Sequence, residues 1–488
     1  MDSLQLIPKR PRSAVLDDNS ELNSLSELPD DILIDILDKL PMEDAMTTSF
    51  LSKRWKDLWK YKSNIELGND WVSKTGKDVL PSLQRILCYL KEQKLHCLSV
   101  SIRYCPSMLT DMELLFTYAS IKNAKEIYID FNARSDSKIR QRRRCPYFFL
   151  TECEDCVCSS LVKLSLKSVQ LDTLPARFVA LRELFLERVI LGDYFVEIVT
   201  TNCPSLSLLC LCNCNPKVNL EIVIAATANL LQLIIREEIT EVANTTELSI
   251  RAENVKVIEF VLALPRKGYK IEGALVCSEV RFRLNQMHQS RQAMRVSGLG
   301  IKGKFTDNFV GLLEKFKAAE TITLSSWCIQ VLSIELIVRR KCPLSFDLRH
   351  LTLETGLELW EFLGITYLLL SARKLESLVV VMGDTAEISC NHPATLMSSV
   401  GYNVFDQGLP ALKTVEFKNF SGNYESWEAD NFDLDKFFRN YSSGDFLVWN
   451  LMHFTVNLKK IVFTTREKSF ELNQFEKYRL MPKLSQAS

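Results

Sequence analysis

Two groups of cysteines have spacings from which a metal site is built: Cys153, Cys156 and Cys158, and Cys210, Cys212 and Cys214. Zinc takes four nitrogen or sulfur ligands that converge on one point. In an extended segment Cys210 and Cys212 lie on the face opposite Leu209 and Leu211, and a strand does not aim all three of the second set at one ion without a bulge. Cys158 and Cys214 stand where a buried small residue is wanted. Both groups are read as core or surface thiols, and no metal is expected.

Gly298, Gly300 and Gly303 match the glycine spacing of a dinucleotide-binding turn, with a helix expected from Asp307 to Phe316 and an acid at Glu320. That turn needs a buried strand before it and apolar packing positions after it. No convincing strand precedes Gly298, and Lys302 and Lys304 fill the packing positions, so the glycines read as a turn and no cofactor is expected. Lys138, Arg140, Arg142, Arg143 and Arg144 precede Tyr147, Phe148 and Phe149, a mixture of charge and stacking surface that suits single-stranded nucleic acid. A solvated loop is the preferred reading, with acidic target segments as another use for it. His96, His288, His350, His392 and His453 are scattered and form no metal or catalytic pair, and neither a nucleophile elbow nor a phosphate loop is present. No catalytic residue is assigned.

The chain has 488 residues, with 60 Lys and Arg against 60 Asp and Glu. A neutral balance excludes the global basic field of a protein that wraps nucleic acid or coats an anionic membrane. Glycine is scarce, at 16 residues, which suits a chain spent mainly on regular elements. Met1 to Arg12 lacks the apolar core of a secretory signal, so the 15 cysteines are expected to be reduced and packed. No apolar run reaches the ~18 residues of a membrane span. Residues 1–25 read as a disordered tail in which Lys9, Arg10 and Arg12 form a short basic cluster of the kind used for nuclear import, so nucleus and cytoplasm are the expected locations.

From Leu28 the texture changes. Pro29 suits a first helical turn, Asp30 and Asp31 complement its dipole, and Ile32, Leu33, Ile36, Leu37 and Leu40 form one apolar face before Pro41 stops the helix. A second helix is expected near Met42, with Leu51, Trp55, Leu58 and Trp59 on its apolar face. Forty residues cannot bury all of these side chains internally, so some must face a partner. The segment LPDDILIDILDKLPMEDAMTTSFLSKRWKDLWKY resembles an F-box, and its ending resembles the plant form. The resemblance implies docking on the Skp-type adaptor of a cullin-RING ubiquitin ligase, with Leu28, Pro29, Ile32, Ile36, Leu40, Pro41 and Trp55 as contacts or supports.

Beyond this module a pattern apolar at positions 1, 4 and 6 keeps returning, as in Leu161-Leu164-Leu166, Leu181-Leu184-Leu186 and Leu206-Leu209-Leu211. Starts from 161 to 277 are 20, 25, 24, 25 and 22 residues apart, the period of a leucine-rich repeat. The step of 42 from 277 to 319 leaves room for a degenerate copy near Gly298 to Ile301. Weaker copies begin at Leu95 and Ala124, and others follow at Leu412 and Leu458. The expected fold is α/β: a small helical F-box module at 26–67, then a leucine-rich-repeat solenoid (horseshoe) at 68–405 with short parallel strands on its concave face. Alternate residues then face outward, and Lys163, Lys167, Glu183, Phe185, Glu187, Arg236, Arg281 and Arg283 become candidates for binding a target. The repeats resemble those found behind plant F-boxes. LPALKTVEFKNFSG at 409–422 and WNLMHFTVNLKKIVF at 449–463 are similar to the FBD segment that closes many such proteins, here placed at 406–470 ahead of a tail at 471–488. The resemblance implies a non-catalytic substrate receptor that brings an unidentified target protein to a ubiquitin ligase. An interaction scaffold without a ligase role and a nucleic-acid-associated regulator are the alternatives.

Overall fold

A computed structural model of the chain describes residues 28–68, 79–90, 95–101, 119, 122–131, most of 159–284, 304–339, 345–383 except 358, 409–419, and most of 451–472. Helices Asp30–Asp38 and Met42–Thr47 and two 3-10 segments, Thr48–Phe50 and Trp55–Tyr61, lead into one 15-stranded sheet. Its strands follow the chain from Asn64–Gly68 through Lys163–Lys167 to Lys460–Thr464, all parallel, and Ser469–Leu472 then pairs antiparallel with the last of these.

The apolar pattern sets the register. Fourth-position residues stand directly opposite one another, Leu98 against Ile127, Ile127 against Leu164, Leu164 against Leu184, and so on to Val415 against Ile461. Sixth-position residues form a second column from Val100 to Phe463, and residues of both columns are at most 1% exposed. Full burial of each Leu, Ile, Val or Phe is worth about 1.5–3 kcal/mol, so a strand slipped by one residue would lose two such terms at once. Phe260 and Phe282 stack in the second column at 5.2 Å, as do Phe417 and Phe463 at 5.1 Å.

Four strands leave the sheet through a residue in the left-handed region. Ser168, Arg188, Asn213 and Asn419 follow their strands with φ of 60°, 54°, 53° and 55°. The Ser168, Arg188 and Asn213 N–H groups donate to the carbonyls of Glu187, Cys212 and Arg236 on the next strand at 2.8, 2.7 and 2.7 Å. These left-handed positions are ones glycine fills most readily, yet here they carry side chains, which accounts for part of the glycine shortage.

The opposite side of the core changes character along the chain. Leu220–Ile224, Glu247–Ala252 and Gly268–Glu272 form a separate parallel sheet, whereas helices Lys304–Glu314, Ser326–Arg339 and Leu359–Ser371 back the later strands. The two last-named helices approach so closely at Gly364 that an added Cβ would lie 2.0 Å from the Ile329 carbonyl oxygen.

Two expectations are corrected. Glu279–Leu284 pairs directly with Thr321–Ser325, Val280 opposite Ile322, so no further strand lies between these two in the place of the expected degenerate copy. The extra length is used partly for helix Lys304–Glu314. The sheet also begins earlier than the repeat pattern indicates: Asn64–Gly68, with Ile65 and Leu67 buried, pairs with Cys97–Ser101.

Candidate functional site

Two surfaces carry the candidate residues. In the N-terminal module, Pro29 starts the first helix and Asp30 and Asp31 occupy its first turn. Arg54 reaches back to the same place, donating to Asp30 Oδ1 through Nε at 2.9 Å and Nη2 at 2.6 Å, and to the Leu28 carbonyl. The stripe expected to form one apolar face is split. Leu33 and Leu37 are fully buried, Ile36 and Leu40 are half-buried, and Ile32 is 44% exposed. Pro29 and Pro41 are exposed and Leu28 is half-buried. Trp55 is buried with Leu58 and Trp59, so it supports the module from within.

Leu51 departs from its expected place. The second helix ends at Thr47 and a 3-10 turn follows, which breaks the four-residue phase. Leu51 is turned outward at 68% exposure beside Phe50 at 88%. Phe50 carried no periodic signal. The Thr47-Thr48-Ser49 run just before it is the feature of the sequence that marks the break.

The module is joined to the sheet by backbone chemistry. Along the array, two successive N–H groups at the head of a strand share one carbonyl of the preceding strand: His96 and Cys97 on Ser63, Val162 and Lys163 on Lys125, Arg182 and Glu183 on Val162. The first strand has no predecessor, and a carboxylate takes the carbonyl's place. Asp38 Oδ1 accepts from the N–H groups of Ser63 at 2.7 Å and Asn64 at 3.1 Å, while Oδ2 accepts from Ser63 Oγ at 2.6 Å. Beside it the buried Lys62 ammonium donates to the carbonyls of Leu37 at 2.7 Å and Leu40 at 2.8 Å, at the negative end of the helix dipole. Burial pushes the Lys62 pKa below the usual lysine value, and the nearby Asp38 and Glu66 charges oppose that shift.

On the outward face of the sheet, Lys163, Lys167, Glu183, Phe185 and Glu187 come together on two adjacent strands. Lys163 Nζ lies 3.2 Å from Glu183 and Lys167 Nζ lies 2.9 Å from Glu187. The Lys163 pKa stands above its ordinary value; burial acts against this, and hydrogen bonds to Glu183 and Tyr128 outweigh it. Further along, Arg281 pairs with Glu279 at 2.6 Å, and Arg283 lies between Glu259 at 3.1 Å and Glu354 at 2.7 Å. The hydrogen bond to Glu354 is the main reason the Arg283 pKa is raised. Arg236 is exposed and has no ion-pair partner among the described residues. Between the two charged groups the face gains apolar surface, with Leu208, Val257 and Val261 half-buried around buried Cys210 and Ile234, interspersed with Gln232, Arg236 and Glu259.

Cys210 and Cys212 share this face, and Cys214 is buried behind it. The Cys214 thiol donates to the carbonyls of Leu186 at 3.5 Å and Cys212 at 3.7 Å. Burial pushes the Cys210 pKa up to about 11 and that of Cys214 up to about 12. Among the described residues no group of three metal-ligating side chains converges. Lys9, Arg10 and Arg12, the Lys138 to Arg144 run, Cys153, Cys156 and Cys158, and Gly298, Gly300 and Gly303 lie outside the described residues.

Residues 25–67 match the family model of the F-box domain. An F-box/LRR-repeat protein of Arabidopsis thaliana is 27% identical over 195 residues, 38% of this chain and 50% of the relative. Another relative from this plant, also named for an F-box and leucine-rich repeats, is 23% identical over 447 residues, 90% of this chain and 89% of its own length. An FBD-associated F-box protein from the same plant is 40% identical over 55 residues, 11% of this chain and 13% of the relative. The chain thus spans half the length of the first of these relatives. A helical F-box feeding a parallel sheet of leucine-rich repeats defines the class, an F-box/leucine-rich-repeat protein. Within that class the chain is similar to plant proteins named for an F-box, leucine-rich repeats and an FBD.

Proposed function

We propose that this chain is the substrate-recognition subunit of a cullin-RING ubiquitin ligase, docking a Skp-type adaptor through its F-box and holding a target protein on its repeat face for ubiquitination. The observation that carries the reading is the exposure of three large apolar side chains, Ile32, Phe50 and Leu51, at 44%, 88% and 68%, on a module of about forty residues that is otherwise well packed. So much apolar surface on so small a helical unit supports a partner-binding role. Pro29, Ile36, Leu40 and Pro41 are the further contacts assigned to the adaptor, with Leu28 and Trp55 as supports. No side chain is asked to do chemistry. The receptor acts by holding target and ligase on one scaffold, which raises the effective concentration of target lysines near the ubiquitin-conjugating enzyme.

The division of labour follows the expected segments: an F-box at 26–67, a target-binding array at 68–405 and a closing FBD-like unit at 406–470. Lys9, Arg10 and Arg12 are assigned to nuclear import of a protein shared between nucleus and cytoplasm. The deciding experiment is co-purification of the full chain with a recombinant Skp-type adaptor. Replacing Ile32 and Phe50 by Asp is expected to reduce adaptor affinity by at least about 30-fold, since each anchor is worth roughly 1–2 kcal/mol or more when buried in an interface. An unmodified chain that binds no adaptor, or a double variant that binds as well as the original, would refute the proposal.

A further inference from the structure

The repeat face begins with an aromatic slot that already contains a cation. Tyr128, Ser165 and Phe185 occupy one register column on three successive strands. With strands about 4.8 Å apart, the two rings rise roughly 10 Å from each other over the small serine, a gap that admits one further side chain. Lys163 fills it from the neighbouring column: its Nζ lies 5.7 Å from the Tyr128 ring centroid and 5.0 Å from that of Phe185. The Tyr128 hydroxyl donates to Glu126 at 2.8 Å, which fixes that ring.

The surroundings favour positive charge. On the outward positions of the five strands from Asn64–Gly68 to Glu183–Glu187 there are five carboxylates, Glu66, Glu126, Asp130, Glu183 and Glu187. Lys163 and Lys167 oppose them there, and Arg188, just past the last of these strands, pairs with Glu187 at 3.0 Å, so that among the described residues carboxylates still outnumber cations. The internal occupant is not locked in: the Lys163 side chain is 28% exposed and its partner Glu183 39% exposed. An ion pair in such contact with water is worth little and exchanges readily.

We infer that this N-terminal part of the face receives a basic segment of a target protein, one of whose Lys or Arg side chains displaces the Lys163 ammonium from between Tyr128 and Phe185 while its neighbours meet Glu66 and Glu126. The inference rests on the target-receptor reading, and it specifies the chemical class of the target: a lysine- or arginine-bearing stretch. The more apolar part of the face, from Leu208 to Val261, lies next along the array and would take whatever apolar residues flank that stretch.

The test uses the full chain and a fluorescein-labelled peptide, Gly-Arg-Lys-Gly-Lys-Arg-Gly, with its Glu/Asp counterpart as control, in fluorescence anisotropy at low salt. Saturable binding of the basic peptide and none of the acidic one is expected. Lys163→Ala and Lys167→Ala each remove one positive charge, but only the first empties the slot. Lys163→Ala is therefore expected to tighten binding about three- to tenfold more than Lys167→Ala, the range a cation over an aromatic face supplies. That difference is expected to vanish in a Phe185→Leu background, which keeps apolar bulk without the ring. Equal effects of the two lysine variants would overturn the slot, and equal binding of both peptides would overturn the charge argument. Binding seen only after Arg140, Arg142, Arg143 and Arg144 are neutralised would assign the surface to the chain's own basic run and overturn the target reading of it. Adaptor binding measured on the same preparation separates this inference from the ligase proposal, because loss of peptide binding with adaptor binding intact sinks the inference alone.

Discussion

Replacing Asp38 by Ala tests whether one carboxylate joins the F-box to the repeat sheet. The side chain accepts three hydrogen bonds, at 2.7, 3.1 and 2.6 Å, from Ser63 and Asn64. Hydrogen bonds to a charged group are worth roughly 1.5–3 kcal/mol each when protected from water. Here the Asp38 side chain is 16% exposed, so water can replace part of what is lost, most easily at the Ser63 hydroxyl. Counting the two backbone bonds at the lower figure gives about 3 kcal/mol, or about a hundredfold in a local opening equilibrium. Hydrogen exchange followed by mass spectrometry reads this directly. Amides of Asp30–Asp38 and Asn64–Gly68 are expected to exchange about a hundredfold faster in the variant, while those of Lys163–Lys167 and Glu183–Glu187 stay unchanged. Asp38→Asn, which keeps an oxygen acceptor, should fall between. Unaltered exchange at Asn64–Gly68, or an equal rise in the distant strands, would refute the assignment of Asp38 as the stand-in for a strand carbonyl.

Gly364→Ala is expected to cost at least about 2 kcal/mol, because its new methyl group would meet the Ile329 backbone oxygen rather than a movable side chain; thermal unfolding checks it, and an unshifted midpoint would contradict the packing of the two helices. The buried thiols set an alkaline limit. Cys203 and Cys214 are pushed up to about 12, Cys210 and Cys277 to about 11. The folded state therefore holds thiol protons that the unfolded chain releases, and their contribution, complete below about pH 8.5, is lost as pH rises toward those values. Denaturant titrations should show Cys214→Ala reducing the pH slope of stability between about 9.5 and 11 by about 1.4 kcal/mol per unit. An unchanged slope would mean that this thiol is not buried in the protonated form.

Much of the array was legible because its signal repeats. A column such as Leu164, Leu184 and Leu209 is announced by spacing alone, and parity then fixes that Lys163 and Phe185 face outward. Positions that do not repeat were harder. Asn64–Gly68 is a single strand whose apolar pair sits next to the F-box, so the repeat pattern gives no reason to separate it from that module. Leu51 kept helical spacing with Trp55, but the 3-10 turn at Thr48–Phe50 lies between helices too short for the period to register it. The pairing of Glu279–Leu284 with Thr321–Ser325 shows that two strands far apart in the chain can be direct neighbours in the sheet. At the candidate site, sequence supplied the residues of the face but not their partners. Arg283 reads as a free cation until Glu354, two strands away, is placed against it.

The ends of the sheet have a consequence for assembly. A parallel array presents at each edge the complement of its opposite edge, so identical copies could concatenate head to tail into an open filament. Asp38 occupies the leading N–H groups at one edge with a fixed anion, and the reversed Ser469–Leu472 strand presents the wrong polarity at the other. Both features oppose polymerisation of the chain along its own repeat axis.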